Sequence, residues 1–323
     1  MNFKKGRFRQ MSDPIITVIV PIHNVEAYIE ACLESIRSQT FRDFEVIMVN
    51  DATPDNSAVV AEKYVREDKR FRLLNNETCI GLSKTRNRAI EQAKGKYIAF
   101  IDSDDRYAEQ FLERMYNAIT EYDADVAVCD FALYYLNTKK TKRSGSHFVN
   151  NKVYSTLPAL KELLSDRNFR FYVWNKLWKT SLFKDNDIRM IPMYYEDVVV
   201  CSQLFCHVNK VVSINYCGYY YTRAFSKYKE VSMSGTRIND YINTIPITRS
   251  YLCSHGMYKP CKVSFNIHIF HVYFSVPLLC FQARAQLRQS VIRNSVSGMN
   301  RVVRCVHRPV EELKDMIKVD SVK

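Results

Sequence analysis

From residue 16 onward short β-branched runs alternate with amphipathic segments, and the fourth run ends on three carboxylates. Ile16 to Val20 reads as a buried strand closed by Pro21, and Glu26 to Gln39 as a helix with Ile29, Cys32, Leu33 and Ile36 on one face. Phe44 to Val49 is a second strand, followed by a turn over 50–55 and a helix through Tyr64. Arg72 to Leu74 is a third strand, and Leu82 to Lys94 a helix whose C-terminal end is marked by Gly95. Tyr97 to Ile101 is a fourth strand that runs into Asp102-Ser103-Asp104-Asp105. Repetition of this kind requires a mostly parallel, Rossmann-like sheet with flanking helices, the α/β class. In such sheets ligands bind outside the carboxyl ends of the strands, so loops 21–24, 50–55 and 102–105 should open onto one site.

After a fifth strand, Asp125 to Phe131, a polar stretch from Asn137 to Asn151 reads as a solvent loop or a hairpin. Tyr172 to Phe183 is aromatic and basic, Tyr194 to Asp197 opens an apolar helical run to Cys206, and Val211 to Tyr221 is a strand. Beyond about residue 234 the periodicity is helical only. The expected organisation is therefore a tail over 1–13, an α/β domain over 14–223 and a mainly α-helical, basic region over 224–323. The longest apolar stretch, Val263 to Phe281, is interrupted by Asn266, His268, His271 and Pro277 and is too polar for a membrane span.

Composition narrows the chemistry. The eight glycines never come within five residues of one another, which excludes both the G-x-G-x-x-G fingerprint and the P-loop. Any nucleotide must be held without a glycine cradle. The ten cysteines form no C-x-x-C pair and no zinc-like spacing with histidine, and read as small buried hydrophobes in a reducing compartment. The basic N-terminus has no long apolar core behind it, so a cytosolic start is expected rather than a secretory signal.

Three carboxylates at a strand end are costly to desolvate unless paired or bound to a cation, and a divalent metal bridging a diphosphate is one solution. The plainer one is a helix cap by Asp104 or Asp105. Asp51, at the end of the second strand, is placed to accept a hydrogen bond from a nucleobase, or else forms an Asx turn with Thr53 and Pro54. Glu196 and Asp197, opening a helix, are either complements to its dipole or, more sharply, a general base for a sugar hydroxyl.

The run TVIVPIHNVEAYIEACLESIRSQTFRDFEVIMVNDATPDNS, followed by GLSKTRNRAI, GKYIAFIDSDD, WNKLWKTSLF and YYEDVVV, resembles the inverting glycosyltransferases of family 2, which have the GT-A fold. The resemblance covers about residues 14–222 and rests on five motifs in order. It implies that the backbone around Pro21 and Asn24 and the side chain of Asp51 hold the uridine of a UDP-sugar, with Arg86 facing the diphosphate. Asp102, Ser103 and Asp104 would form the D-x-D element, Asp104 as the direct ligand of Mn²⁺ or Mg²⁺ and Asp102 beside it at the ribose or sugar. Asp197 would be the general base, with Glu196 supporting it or touching the acceptor, and Trp174, Asn175 and Lys176 would lie beneath the acceptor side. Two positions depart from the family pattern: Asn50 stands where Asp is usual, and Cys79 where Asn is usual, so that the amide of nearby Asn75 or Asn76 would have to substitute.

The implied activity is transfer of a sugar from a UDP-sugar to a saccharide or lipid-linked saccharide in surface polysaccharide or glycolipid synthesis. The alternative is a non-catalytic nucleotide-sugar-binding or scaffolding protein on the same fold. The net charge of +13 sits mainly in the C-terminal region, where residues 224–323 carry 15 Lys+Arg against 6 Asp+Glu. Between Asp240 and Glu311 there is no acidic residue, and Arg249, Arg284, Arg288, Arg301, Arg304 and Arg308 fall inside. A basic amphipathic surface over 249–308 is expected to lie on the anionic inner face of the cell membrane or to serve as a homodimer or acceptor surface. No nucleic-acid module accompanies it.

Overall fold

The computed structural model describes residues 13–144, 148–223 and 235–291, with side chains to residue 274. Strands β1 (Ile16–Ile22), β2 (Phe44–Asn50), β3 (Phe71–Asn75) and β4 (Tyr97–Phe100) alternate with helices α1 (Ile29–Arg37), α2 (Ser57–Glu67) and α3 (Leu82–Gln92). β1 pairs in parallel with β2 and β4, and β2 with β3. All seven residues of β1 are buried, as a strand covered on both faces requires. Ile29, Cys32, Leu33 and Ile36 are the buried face of α1, as their spacing demands.

The other half of the sheet is mixed. β5 (Arg106–Tyr107), α4 (Phe111–Glu121) and β6 (Val126–Tyr135) are followed by β7 (Lys140–Arg143), which pairs antiparallel with β6, so the polar stretch after residue 137 is a hairpin. β8 (Lys152–Ser155) and α5 (Thr156–Leu164) lead to β9 (Lys176–Lys179), which inserts antiparallel between β4 and β6. α6 (Thr180–Lys184), α7 (Glu196–Phe205) and β10 (Lys210–Arg223) complete the unit, with β10 parallel to β6. The sheet order is β3-β2-β1-β4-β9-β6-β10-β5, with β7 on β6 and β8 on β10.

Helices α8 (Gly235–Ser254) and α9 (Tyr258–Val291) follow. Ile245 and Leu252 of α8 and Cys261, Phe265 and Val272 of α9 are buried in the same hydrophobic cluster as the sheet. Among the described residues no helix is long and apolar enough to cross a membrane. Of the basic surface expected over 249–308, residues 292 onward lie outside the described residues, as do residues 1–12 of the tail expected over 1–13.

Gly95 has a different role from the helix cap its position suggests. α3 ends at Gln92 with an extended Ala93, and Gly95 has no left-handed φ. Instead the backbone of β1 passes directly over it: a Cβ there would stand 2.5 Å from the Thr17 amide nitrogen and 2.7 Å from the Ile16 carbonyl carbon. Gly95 N–H donates to Thr17 Oγ1 at 2.9 Å and its carbonyl accepts from Thr180 Oγ1 at 2.6 Å, which locks the start of β4 between β1 and α6. Gly95→Ala is expected to cost about 1–3 kcal/mol through backbone displacement. The urea midpoint should fall at unchanged m; an unchanged midpoint would contradict the close approach.

Candidate active site

The loops after β1, β2 and β4 converge, together with the segment before α3, on one cleft of about 360 Å³ lined by Pro21, His23, Asp51, Cys79, Gly81, Thr85, Asp102, Ser103 and Asp104 among others. Convergence follows from the parallel pairing, which puts the carboxyl ends of β1, β2 and β4 on one edge. Asn24, in the same loop as Pro21 and His23 but not in the cleft lining, is in a left-handed conformation, its N–H bonded to Thr53 Oγ1 at 2.8 Å.

The turn after β2 is built by Asn50, whose Oδ1 accepts from Thr53 N at 2.9 Å and whose amide donates to Asn75 Oδ1 at 2.9 Å. The Asx turn open to Asp51 in the sequence therefore belongs to its neighbour, and the Asp51 carboxylate is released into the cleft. Its Oδ1 accepts from Asn76 Nδ2 and Ile80 N, both at 2.8 Å, and its Oδ2 from Gly81 N at 2.9 Å and the Cys79 thiol at 3.3 Å. Burial works to raise its pKa, but the donors from Ile80, Asn76, Gly81 and Cys79 outweigh it and hold the carboxyl below its ordinary range.

Opposite, Asp102 and Asp104 face the cleft while Asp105 turns away into the core. Asp105 accepts from Tyr219 Oη and Thr222 N, each at 2.7 Å, so it anchors the loop to β10. Burial first, then the charges of Asp104 and Asp102, push its carboxyl well above the usual range. Tyr219 in turn stacks on Trp174 at 4.1 Å, and Trp174 on Tyr172 at 4.5 Å. Lys176 is fully buried and donates to the carbonyls of Arg170 and Tyr172 and to Asn175 Oδ1, at 2.7, 2.6 and 2.8 Å; burial pulls its pKa down to about 8. The WNK segment thus forms the packed floor under the acidic loop.

Arg86, buried on α3, joins the two halves. One terminal nitrogen pairs with Asp102 and the other with Glu196 Oε1 at 2.7 Å. With both ends engaged, Arg86 acts as a brace between the acidic loop and the start of α7. Glu196 and Asp197 occupy the first turn of α7, where the helix dipole favours negative charge. α3 also holds the approach to α7: Asn87 bonds Met190 N and O at 2.9 and 2.8 Å, and Ser83 Oγ bonds Ile191 O at 2.7 Å. Tyr195, just before the pair, has φ of 63°, a costly conformation for an aromatic residue, and its ring lies 4.4 Å from that of Tyr241 on α8. Burial and the neighbouring Glu196 push the Asp197 carboxyl up to about 7, against the opposing pull of Arg86. Burial also raises Glu196.

A second cleft of about 440 Å³ adjoins the first through Gly81 and Leu82 and is lined by Ser83, Tyr194, Glu196 and, from α8, Thr236 and Asp240. Asp240 Oδ2 accepts from Tyr194 N at 2.9 Å, which ties α8 to the base of α7.

The glycosyl transferase family 2 model matches residues 17–190, more than half of the chain. The chain belongs to this family. It is a glycosyltransferase with a GT-A-type core and a helical C-terminal region. It is 29% identical over 265 residues to the uncharacterized glycosyltransferase EpsJ of Bacillus subtilis, which covers 79% of this chain and 75% of EpsJ. It is 32% identical over 218 residues to the glycosyltransferase GlyA of Streptococcus pneumoniae, 65% of this chain but only 30% of GlyA. Among solved structures, S. aureus TarS 1-349 in complex with UDP-GlcNAc superposes with a TM-score of 0.62 at 24% identity, over 78% of this chain and 72% of that one, a likeness of fold.

The family 2 match stops at Met190, short of Glu196 and Asp197. Asp51, Asp102, Ser103, Asp104 and Pro21 share the first cleft, Arg86 lies behind it, and Glu196 lines the second. Unforeseen in the sequence are His23, Gly81 and Tyr219. His23 carries a usable signal, since it sits inside a strand-end loop, whereas Tyr219 reaches Asp105 from β10 across more than a hundred residues. The cysteines also divide differently from expectation: Cys79 and Cys253 are exposed, while Cys32, Cys129, Cys201, Cys206 and Cys261 are buried.

Proposed function

We propose that this family 2 enzyme transfers a sugar from a UDP-sugar to a hydroxyl of a saccharide or lipid-linked saccharide, with inversion, in surface polysaccharide or glycolipid synthesis. The observation that carries the reading is the pair of adjoining clefts with Gly81 and Leu82 between them, one walled by Asp51 and the acidic loop, the other by Glu196 at the start of α7. The S. aureus protein with the similar fold binds UDP-GlcNAc, which supports a UDP-sugar donor.

In this reading Asp51 takes the uracil N3–H on Oδ2, where the weakly donating Cys79 thiol is the partner most easily replaced. Asp102 and Asp104 suit a divalent cation: they are hard oxygen donors that share the cleft lining, and Asp102 also pairs with Arg86. When bound there, Mn²⁺ or Mg²⁺ supplies neutralisation of the charge developing on the UDP leaving group. Asp197 takes the proton of the attacking hydroxyl. Arg86 holds Asp102 and Glu196 at fixed separation, so that donor and acceptor meet in line, and such positioning contributes on the order of 7–11 kcal/mol to barrier reduction in well-oriented systems.

UDP release should be measured for UDP-glucose, UDP-galactose and their N-acetyl forms with acceptor mixtures. At least one donor should turn over, with a drop of at least about tenfold on chelation and recovery with Mn²⁺. Absence of release from every donor in the presence of metal would leave only a nucleotide-sugar-binding or scaffolding role.

A further inference from the structure

We propose that His23, Asp51 and Cys79 form a second cation site, suited to a borderline-soft transition metal of the Zn²⁺ class, and that its occupation excludes the nucleoside from the donor cleft. A ring nitrogen of His23, a carboxylate oxygen of Asp51 and the sulfur of Cys79 lie within 4.8 Å of one another. The three come from separate loops, after β1, after β2 and before α3. Nitrogen, oxygen and sulfur together are the donor set that zinc prefers, whereas the acidic loop offers oxygen alone and suits Mn²⁺ or Mg²⁺.

The details fit ligation. Cys79 Sγ is 3.3 Å from Asp51 Oδ2, and sulfur at ~2.3 Å and oxygen at ~2.0 Å on a tetrahedral zinc stand ~3.5 Å apart. On binding, the thiol releases its proton to water and the thiolate becomes a ligand. The Oδ2 lone pair that accepted that proton is freed at the same moment to become the second. His23 Nδ1 is 2.9 Å from the Asp51 carbonyl oxygen, which can only accept. Nδ1 therefore carries the hydrogen, and in the neutral ring the lone pair is on Nε2, the arrangement in which a backbone carbonyl orients a metal-binding histidine. Ile80 N, Gly81 N and Asn76 Nδ2 remain on Asp51 as outer supports. His23 and Cys79 are exposed, so they close on an ion at little packing cost. Three protein ligands would leave one position of a tetrahedral ion to water.

A cation on Oδ2 removes the acceptor that the uracil N3–H needs, so metal and nucleoside compete. That exclusion rests on the donor reading above; the metal site does not.

The test is a Co²⁺ titration of the metal-free full-length protein. One equivalent should produce a sulfur-to-cobalt charge-transfer band, which the all-oxygen acidic loop cannot give, and Zn²⁺ should bleach it. Cys79→Ser should abolish the band, and Cys79→Ser and His23→Ala should each weaken Zn²⁺ binding at least about tenfold at unchanged circular dichroism. No charge-transfer band, or one undiminished in Cys79→Ser, overturns the site. Uridine, which lacks phosphates to chelate metal, should displace Co²⁺. Uridine that binds without displacing it overturns the exclusion, and uridine that does not bind at all counts against the donor assignment instead.

Discussion

Asp197→Asn is expected to lower kcat about 10²–10⁴-fold while UDP-sugar affinity stays within about twofold, because a general base contributes to the transition state and little to ground-state binding. The amide keeps the shape of the carboxylate but cannot take a proton. A residual rate near wild type would remove Asp197 from the role. The pH profile gives an independent reading. With the Asp197 carboxyl pushed up to about 7 by burial and Glu196, the ionised base forms only as pH rises through that value, so wild-type kcat/KM should climb across pH 6 to 8. The variant should lose that limb. Stability has the opposite sign: a carboxyl raised in the folded state contributes fully at low pH and loses that contribution as pH rises from its ordinary 3.8 through about 7. Asp197→Asn should therefore be at least as stable as wild type at pH 8, a trade of stability for activity at the site.

Arg86→Leu should destabilise the fold by about 3–5 kcal/mol, because it leaves the buried Glu196 and the half-buried Asp102 without the buried cation that both contact. It should also shift the acid limb of the activity profile to higher pH, since Arg86 opposes the rise at Asp197. Arg86→Lys keeps the charge but lacks the planar fork that spans two carboxylates, and should recover only part of either effect. Chemical denaturation and a pH–rate series measure both. Stability within about 0.5 kcal/mol of wild type, the range of ordinary surface substitutions, would show that the brace is dispensable.

Much of this architecture is legible in the chain. The β1 to β4 alternation, the buried face of α1 and the strand-end loops follow from local period and burial, each set within a dozen residues. β9 was not legible as an inserted antiparallel strand, because its four residues, KLWK, have no period of their own and pair with β4 and β6 across long separations. Gly95 misleads for a related reason: a glycine after a helix signals a cap, yet here the demand comes from β1, far away in sequence. Asn50, a departure from the family pattern, turns out to build the β2 turn that leaves Asp51 free.

The site divides in the same way. Asp102, Asp104 and Asp51 could be singled out because carboxylates at strand ends stand out against apolar runs. The adjacency of His23 and Cys79 to Asp51 could not, since neither lies at a recognisable spacing from the other. The sequence alone determined that this is an α/β chain with acidic strand ends and resembles family 2, because period, burial and local motif are properties of neighbouring residues. Only the tertiary structure decided that Arg86 spans Asp102 and Glu196, that α8 walls the second cleft, and that a histidine, an aspartate and a cysteine from three loops meet. Those relations depend on how parallel strands and their crossovers bring distant loops to one edge, which no local pattern encodes.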